Sequence, residues 1–565
     1  MGTTAVPVLR YTLSGHFICC FSRFKSTFVF AANSGLRPLF HSLLFLGLPL
    51  AACTSPSARA EVSSVMPGDS VVMVAAGPQY ARSALHQFFW GRHYRKVWAQ
   101  PVRVPVISLR TVMPGGLTPL QAGGSFQTKN LRLVDAQGRE FVLRSVDKDA
   151  TKALPERLQK GPIGRLMKDQ TSVIHPYGAY IVPTLAQAAG VFHTNPRLVY
   201  VGDDPALGSF RKEYANALYL LEERPEGNQS TVASFGRSAR VESSRKVFTQ
   251  LLYHANHRVA ARQYLRARLF DMYLGDWSRR EDQWRWASFP TPDGGVRYEA
   301  IPRDRDHAFF KFDDGLMTHI VAWVKSNYQS FHEDIRLSDV EGLNKAALPM
   351  DKSLLVYLSR QDVQEVADSL RQHLTNEVID RAIAQWPPEI LALSQEEFQR
   401  KLRHRRDQLP AVATKFYELL AQEVEVPGTD EPERFVLEPA GADQIRLSVY
   451  RRLPANTISV DSLIGRRTIR ANETRSLRLF GLGGNDVLEV RGNLDFDKPI
   501  GFYDGAGQDK LQVAAATQLD KTRITLYDSG DGNVFIAPKS VEVSSYQPTA
   551  RDFDAAGWLL RHRLY

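Results

Sequence analysis

The chain has 565 residues, with 71 Lys+Arg against 61 Asp+Glu and a formal net charge of +10. Hydrophobic residues make up 43% and charged residues 23%, ordinary globular usage that excludes a disordered, collagenous or coiled-coil chain. The three cysteines, Cys19, Cys20 and Cys53, lie near the N-terminus, and no apolar run long enough for a spanning helix follows position 60. The rest of the chain therefore has neither a disulfide framework nor a thiolate zinc site. The positive charge is spread along the chain, without a basic stripe carrying interleaved aromatics, so no nucleic-acid partner is expected.

The first element is an address. Residues 39–52, LFHSLLFLGLPLAA, form an apolar run of signal-peptide length behind Arg37, Lys25 and Arg23. The run ends in Leu50-Ala51-Ala52-Cys53 and passes into polar Thr54-Ser55-Pro56-Ser57. This resembles the lipobox of bacterial lipoproteins. The resemblance implies a signal peptide over 1–52, lipidation of Cys53 and a flexible tether over 53–78; an ordinary signal peptide containing a cysteine is the alternative. Thr54, where inner-membrane retention would call for Asp, implies an exported outer-membrane lipoprotein, periplasmic or surface-facing, held to the membrane by its anchor.

Residues 80–99 are expected to form an amphipathic helix with Leu85, Phe88, Phe89 and Tyr94 facing a core. A β-rich run over 102–109 leads to Gly115-Gly116 and Gly123-Gly124. The segments KNLRLVD and EFVLRSVD then read as a hairpin turning at Ala136-Gln137-Gly138. Helix is expected over 162–190, strands at LVYVGDD and ALYLLEERP, helix over 243–275, and a hairpin over 293–311 turning at Asp293-Gly294-Gly295. Residues 316–425 read as mostly helical, broken at Pro349 and Pro387-Pro388. The basic groups Arg258/Arg262/Arg266 and RKLRHRR (400–406) read as solvated helix faces, with anionic lipid headgroups as an alternative contact. Trp284, Trp286, His175 and His307 read as structural.

After Pro427-Gly428-Thr429 the sequence becomes strand-like and rich in Gly and Asp. LFGLGGNDVLEV, FYDGAGQDKLQV and LYDSGDGNVFIA align without gaps from 479, 502 and 526, so their starts are 23 and 24 residues apart. That period suits one β-layer or hairpin per unit in a small stacked-sheet or solenoid-like domain over 429–565. Gly483-Gly484-Asn485-Asp486 resembles the calcium-binding nonapeptide loop. Calcium in the C-terminal repeats is one reading; tight-turn chemistry is the other, since such loops bind calcium by stacking at a shorter period.

The middle region carries the chemistry. Glycines before a hairpin let backbone N–H groups approach phosphates, which makes Gly123 and Gly124 candidates for that role. Arg144 and Lys148, four residues apart, are candidate phosphate cations on one strand face. YLLEERP (219–225) sits where a hinge between lobes would lie. LFDMYLGDWSRREDQWRW (269–286) ends an apolar helix in Gly275-Asp276 and a charged loop, and YEAIPRDRDHAFF (298–310) then delivers Asp304-Arg305-Asp306. Two acid-bearing loops joined by a hairpin are what phosphoryl transfer needs, one to orient a hydroxyl and one to hold metal.

Gly275-Asp276-Trp277 with Arg279, and Asp304-Arg305-Asp306, resemble the catalytic loop and the metal-binding D-x-D of atypical kinases of the spore-coat-protein-H and secreted-kinase type. Residues 80–430 also resemble the soluble part of bacterial surface proteins in which this region precedes an outer-membrane barrel. The resemblance implies an α+β fold: a bilobal protein-kinase-like domain over 79–428, with lobes about 79–225 and 226–428, followed by the all-β repeat domain. It implies ATP or another nucleotide with Mg or Mn on Asp304 and Asp306. Ser278 stands where the family has its catalytic Asp, and Arg280 where it has His, which leaves Asp276 and Asp282 as candidate catalytic carboxylates. Two functions follow from it. One is a lipid-anchored phosphotransferase. The other is a catalytically inactive, kinase-like scaffold that partners an outer-membrane β-barrel or binds a surface ligand. The repeat region leaves no length for a barrel, so the barrel is expected to be a separate polypeptide. No HExxH, GxSxG or Walker pattern occurs.

Overall fold

The computed structural model describes residues 70–123, 128–452, 461–513, 517–519, 521–530 and 532–545. The signal-peptide and Cys53 expectations, and Gly124, lie outside the described residues. The chain is mixed α and β with several sheets, in keeping with the α+β class. The described residues form one compact unit.

The first sheet has seven strands: β1 (Val71–Ala75), β2 (Pro101–Ile107), β3 (Leu117–Gly123), β4 (Asn130–Asp135), β5 (Glu140–Ser145), β6 (Arg197–Val201) and β7 (Ala217–Glu223). Their spatial order is β1-β2-β6-β7-β5-β4-β3, antiparallel throughout except for β2 beside β6. β1 falls inside the stretch expected to be a tether. Its alternating burial, with Val72 and Val74 inward, explains why a short polar-flanked run still pairs along β2. The expected helix over 80–99 breaks into Ala84–Trp90 and Arg95–Ala99. Gly91 at φ +92° ends the first piece, so the apolar stripe does not stay in phase. Tyr94 is buried, but Phe88 is 61% exposed and Leu85 is exposed as well, a correction to their place in the core.

A second sheet, ordered β8-β10-β11-β9, comprises β8 (Val241–Ser243), β9 (His257–Val259), β10 (Trp284–Pro290) and β11 (Val296–Pro302). Trp284 and Trp286 on β10 are fully buried, as expected. Helices then run from Leu316–Val324 to Leu409–Ala421. The basic run 400–406 is not simply solvated. Arg405 is buried and caps the C-terminus of helix Ala261–Leu274, donating to the Tyr273 carbonyl at 2.8 Å and the Met272 carbonyl at 2.6 Å.

The last region begins earlier than expected, at β12 (Glu423–Pro427). Then come β13 (Glu433–Gly441), β14 (Gln444–Arg451), β15 (Ser462–Arg470), β16 (Ser476–Phe480), β17 (Val487–Val490), β18 (Ile500–Tyr503), β19 (Lys510–Val513), β20 (Ile524–Asp528), β21 (Val534–Ile536) and β22 (Glu542–Ser545). Strands β12-β16-β18-β20-β22 form one parallel sheet. Strands β13-β17-β19-β21 run parallel in a second, with β14 and β15 added antiparallel on its edge. Each repeat therefore supplies one strand to each sheet, which makes a two-sided solenoid rather than a row of hairpins. The repeat period sets the stacking. Leu477 pairs with Ile500 and Ile500 with Ile524, while Leu479, Phe502 and Leu526 form the next row, all of them buried in one core. Gly428 and Thr429 are not an exposed linker. Gly428 donates to the Phe480 carbonyl at 2.7 Å, and Thr429 is buried.

Candidate functional site

β5 brings Arg144 to the centre of the first sheet. In cross-strand register, Gly123, Asn130, Arg144 and Leu220 form one row. Gly123 therefore ends β3 in line with the arginine, next to the hairpin tip. Gly115 and Gly116, both at positive φ, only turn the chain from β2 to β3. Lys148 lies beyond the end of β5 rather than on its face, because the strand stops at Ser145. It still reaches the same acid as Arg144.

Helix 261–274 ends where Gly275 takes φ +69°, which releases the loop that carries Asp276 and Ser278. β11 ends at Pro302, and Asp304 follows in the left-handed region at φ +56°. The D-x-D is therefore a turn and does not continue the strand. The two acids still converge, since one Arg144 nitrogen donates to Asp304 and, at 2.7 Å, to Asp306. Lys148 Nζ lies 2.5 Å from Asp306 Oδ2. The other Arg144 nitrogen reaches Glu222 at 3.3 Å, and Thr194 Oγ1 donates to the same carboxylate at 2.8 Å.

Arg305, between the two acids in sequence, faces away from them. It pairs instead with Asp271 beneath the loop. Arg279 pairs with Asp276, donates to the Arg303 carbonyl and lies 3.3 Å from the Asp304 carbonyl. It thus ties the two acid-bearing loops together. Below them Arg268 bridges Asp271 at 2.6 Å and Asp351 at 2.8 Å, and Tyr264 donates to Asp351 at 2.6 Å. Ser278 Oγ is 3.0 Å from His307 Nδ1 and 3.4 Å from Asp276 Oδ1. Asp282 stands apart. Its side chain is 63% exposed, and Arg280 holds its carboxylate at 3.0 Å.

Burial disfavours ionised Asp304, but Arg144 and Lys148 outweigh it and hold the carboxyl well below the usual range. Burial raises Glu222 against the pull of Arg144. Burial lowers Arg305 to about 9, with the neighbouring Arg268 adding to the effect. A cavity of about 20 Å³ remains beside Arg144, His193, Glu222 and Asp306.

Asp304 and Asp306 fit a Mg²⁺ or Mn²⁺ ion in donor type. Both offer hard carboxylate oxygens converging on one point, and such ions take one or two carboxylates plus phosphate oxygens and water. Among the described residues no group of three or more His, Cys, Asp or Glu side chains is arranged to hold a metal by itself.

Of the expected site residues, Arg144, Lys148, Asp304 and Asp306 meet directly, Asp276 is joined to them through Arg279, and Asp282 is apart. Sequence reasoning missed Glu222 and Asp271 as organising residues, and it named Arg279 only as part of the loop motif, not as the bridge to the D-x-D turn. Glu222 was legible as the acid in YLLEERP. Asp271, one turn before Gly275, carried no separate signal.

No protein-family model and no curated protein matches the chain. Among solved structures, the proinflammatory kinase CtkA of Helicobacter pylori is similar at 9% identity over 54% of this chain and 95% of that chain, with a TM-score of 0.26. The kinase reading that follows rests on this chain's own geometry.

Proposed function

We propose that residues 79–428 form a bilobal, kinase-like nucleotide-binding body in an exported, lipid-anchored protein. The observation that carries this reading is the convergence of Arg144 and Lys148, from the first sheet, on Asp304 and Asp306, from the loop after β11. The strand order supports it. In β3-β4-β5-β7-β6 the first hairpin carries Gly123, and the third strand carries the cation. That is the placement protein kinases give their glycine-rich loop and phosphate-binding lysine. Arg144 can clamp phosphate as a fork where those enzymes use lysine.

In this reading Arg144 and Lys148 exchange their carboxylate partners for the phosphates of a nucleotide, and Asp304 and Asp306 turn to a divalent cation. The metal, when bound, neutralises charge on the phosphates. Asp276 orients the loop through Arg279. The Ser278–His307 contact holds a proton at the position where the resembling kinases have a carboxylate. Lipidation of Cys53 and an outer-membrane location belong to the same proposal.

A second reading, an inactive scaffold, is favoured by two observations. Asp276 is fully buried against Arg279, with Arg305 3.7 Å away, and Ser278 cannot serve as a carboxylate base. Helix 316–324, just beyond the D-x-D turn, also exposes Leu316, Ile320, Val324 and Trp323, the last at 85%, beside exposed Phe88. A surface of this kind fits an apolar partner, such as a separate outer-membrane β-barrel.

Calorimetry of the purified chain with Mn²⁺ and a non-hydrolysable ATP analogue tests the first reading. Metal-dependent binding lost in Asp304→Asn is expected. Absence of binding at millimolar metal would leave the scaffold.

A further inference from the structure

A larger cavity, about 280 Å³, lies away from this site, at the seam between the second sheet, the helical block and the solenoid. Helix Ser244–Tyr253 contributes Phe248 and Leu251. Helix Leu348–Leu354 contributes Met350, and β15 contributes Ile464. The segment joining β12 to β13 closes one side. It is tied down by the Asp430 backbone N–H, which donates to the Leu252 carbonyl at 2.7 Å, and by the Glu431 carboxylate, which accepts from Ala255 N. Cavities at such seams, apolar with a few polar groups, are where small ligands bind, and their volumes start near ~300 Å³.

Arg258 supplies the polar group. The sequence grouped it with Arg262 and Arg266 as a helix face, but it sits on β9, before the helix begins. Arg262 pairs with Asp362 and Glu365, and Arg266 donates to the Ala189 carbonyl. Arg258 lines the cavity instead. Its Nε–H is buried without a hydrogen-bond acceptor, while the residue as a whole is half-buried. The other titratable groups facing the cavity are His257, Glu281 and Tyr357. His257 is engaged with the Tyr298 hydroxyl at 2.9 Å, Glu281 has an interaction of its own, and burial keeps the Tyr357 hydroxyl protonated. A buried donor without an acceptor is unfavourable and is normally met by a partner.

We infer that this cavity binds a small amphipathic carboxylate, its apolar chain among Phe248, Leu251 and Met350 and its carboxylate accepting from Arg258. This site is independent of the nucleotide reading, since none of its lining residues belongs to that cleft.

Decanoate, decanol and decylamine, each titrated calorimetrically into the purified chain, test the proposal. Decanoate is expected to bind at least tenfold more tightly than decanol, with decylamine weakest. Arg258→Gln should equalise acid and alcohol while leaving decanol binding in place. That result separates loss of the ion pair from loss of the fold. Ala255→Leu, which narrows the cavity, should weaken all three. Equal affinity of acid and alcohol for the unmodified chain, tightest binding of the amine, or an acid preference that survives Arg258→Gln would overturn the assignment.

Discussion

Carboxylates crowd together in the cleft and in the turns of the solenoid, and the two surroundings shift Asp304 and the solenoid acids in opposite directions. In the cleft, Asp304 and Asp306 face Arg144 and Lys148. Asp304 is held ionised because these cations outweigh its burial. In the turns of the solenoid, Glu433, Asp486 and Asp504 are fully buried, and among the described residues no lysine or arginine forms an ion pair with them. Burial pushes Glu433 up to about 8 and Asp504 up to about 6, and drives Asp486 well above the carboxylate range, with Glu433 adding to it. The solenoid uses side chains of this kind as backbone caps. Asp486 Oδ1 accepts from Glu433 N at 2.7 Å, Asp509 Oδ1 from Asp486 N at 2.6 Å, and Asn533 Oδ1 from Asp509 N at 2.7 Å. Asn533 occupies the same rung as two aspartates, which says that the rung needs an acceptor and not a charge. The same residue type is thus an electrostatic element in one region and a hydrogen-bonding element in the other.

The sharpest way to break the contrast is to remove the cation. Arg144→Leu leaves Glu222, Asp304 and Asp306 packed together with only Lys148 opposite. Stripping one partner from a buried ion pair costs about 3–5 kcal/mol. Urea denaturation should register a loss of that size. Adding Asp304→Asn and Asp306→Asn to Arg144→Leu should recover a large part of it. A loss under about 1 kcal/mol would mean that solvent already screens the cluster.

The solenoid should respond to pH in the opposite sense. Glu433 has a folded pKa of about 8 against 4.5 unperturbed. Below pH 4.5 it is protonated in both states, and its contribution is fully present. As pH rises the unfolded state ionises first, so stability falls until the folded group also ionises near pH 8. The slope is at most roughly 1.4 kcal/mol per pH unit. Glu433→Gln, which keeps an acceptor for Thr429, should make the fall in melting temperature between pH 5 and pH 8 shallower, with Asp486 and Asp504 supplying the remainder. Tight-turn chemistry also expects no shift with millimolar calcium at pH 8. A calcium-dependent rise that Glu433→Gln abolishes would favour the ion-binding reading of the repeats.

Packing in the turns sets a third, smaller effect. A Cβ on Gly481 would lie 2.1 Å from the Asp504 carbonyl and 2.5 Å from Asp486 Oδ2. The nearer obstacle is backbone of the next coil and cannot rotate away. Gly481→Ala should cost about 1–3 kcal/mol, as overpacking does, without altering nucleotide binding.

How far the sequence foretold these two regions follows from the range of the interactions. The solenoid was legible because its information is periodic. The spacing of 23 and 24 residues places Leu479, Phe502 and Leu526 in one row whatever else the chain does. What the period did not say is that each repeat splits between two sheets, since a hairpin and a coil leave the same spacing. In the cleft, motif residues identified the acids and cations. Their geometry, however, came from Asp304 at positive φ and from Arg279 bridging two loops, which no local pattern encodes. Arg405 and Arg258 misled for a related reason. A basic side chain reads as solvated until the fold supplies a carbonyl pair for one and a cavity for the other.

Asp282 gives the smallest expected effect and the cleanest control. Asp276 and Asp282, two residues before Ser278 and four after it, are the two candidates for the carboxylate that Ser278 replaces. The structure separates them by burial. Asp276 is fully enclosed and joined to Arg279, whereas Asp282 lies at the surface on Arg280. An exposed pair of this kind is worth about 0–1 kcal/mol. Asp282→Asn should therefore shift stability by no more than about 0.5 kcal/mol and leave metal-dependent nucleotide binding unchanged. Asp276→Asn deprives Arg279 of its carboxylate inside the protein and should loosen the link between the two loops, lowering stability and binding together. If Asp282→Asn instead abolishes binding while Asp276→Asn does not, the loop rearranges when ligand enters. The contact between Arg280 and Asp282 would then be the part of the cleft that opens.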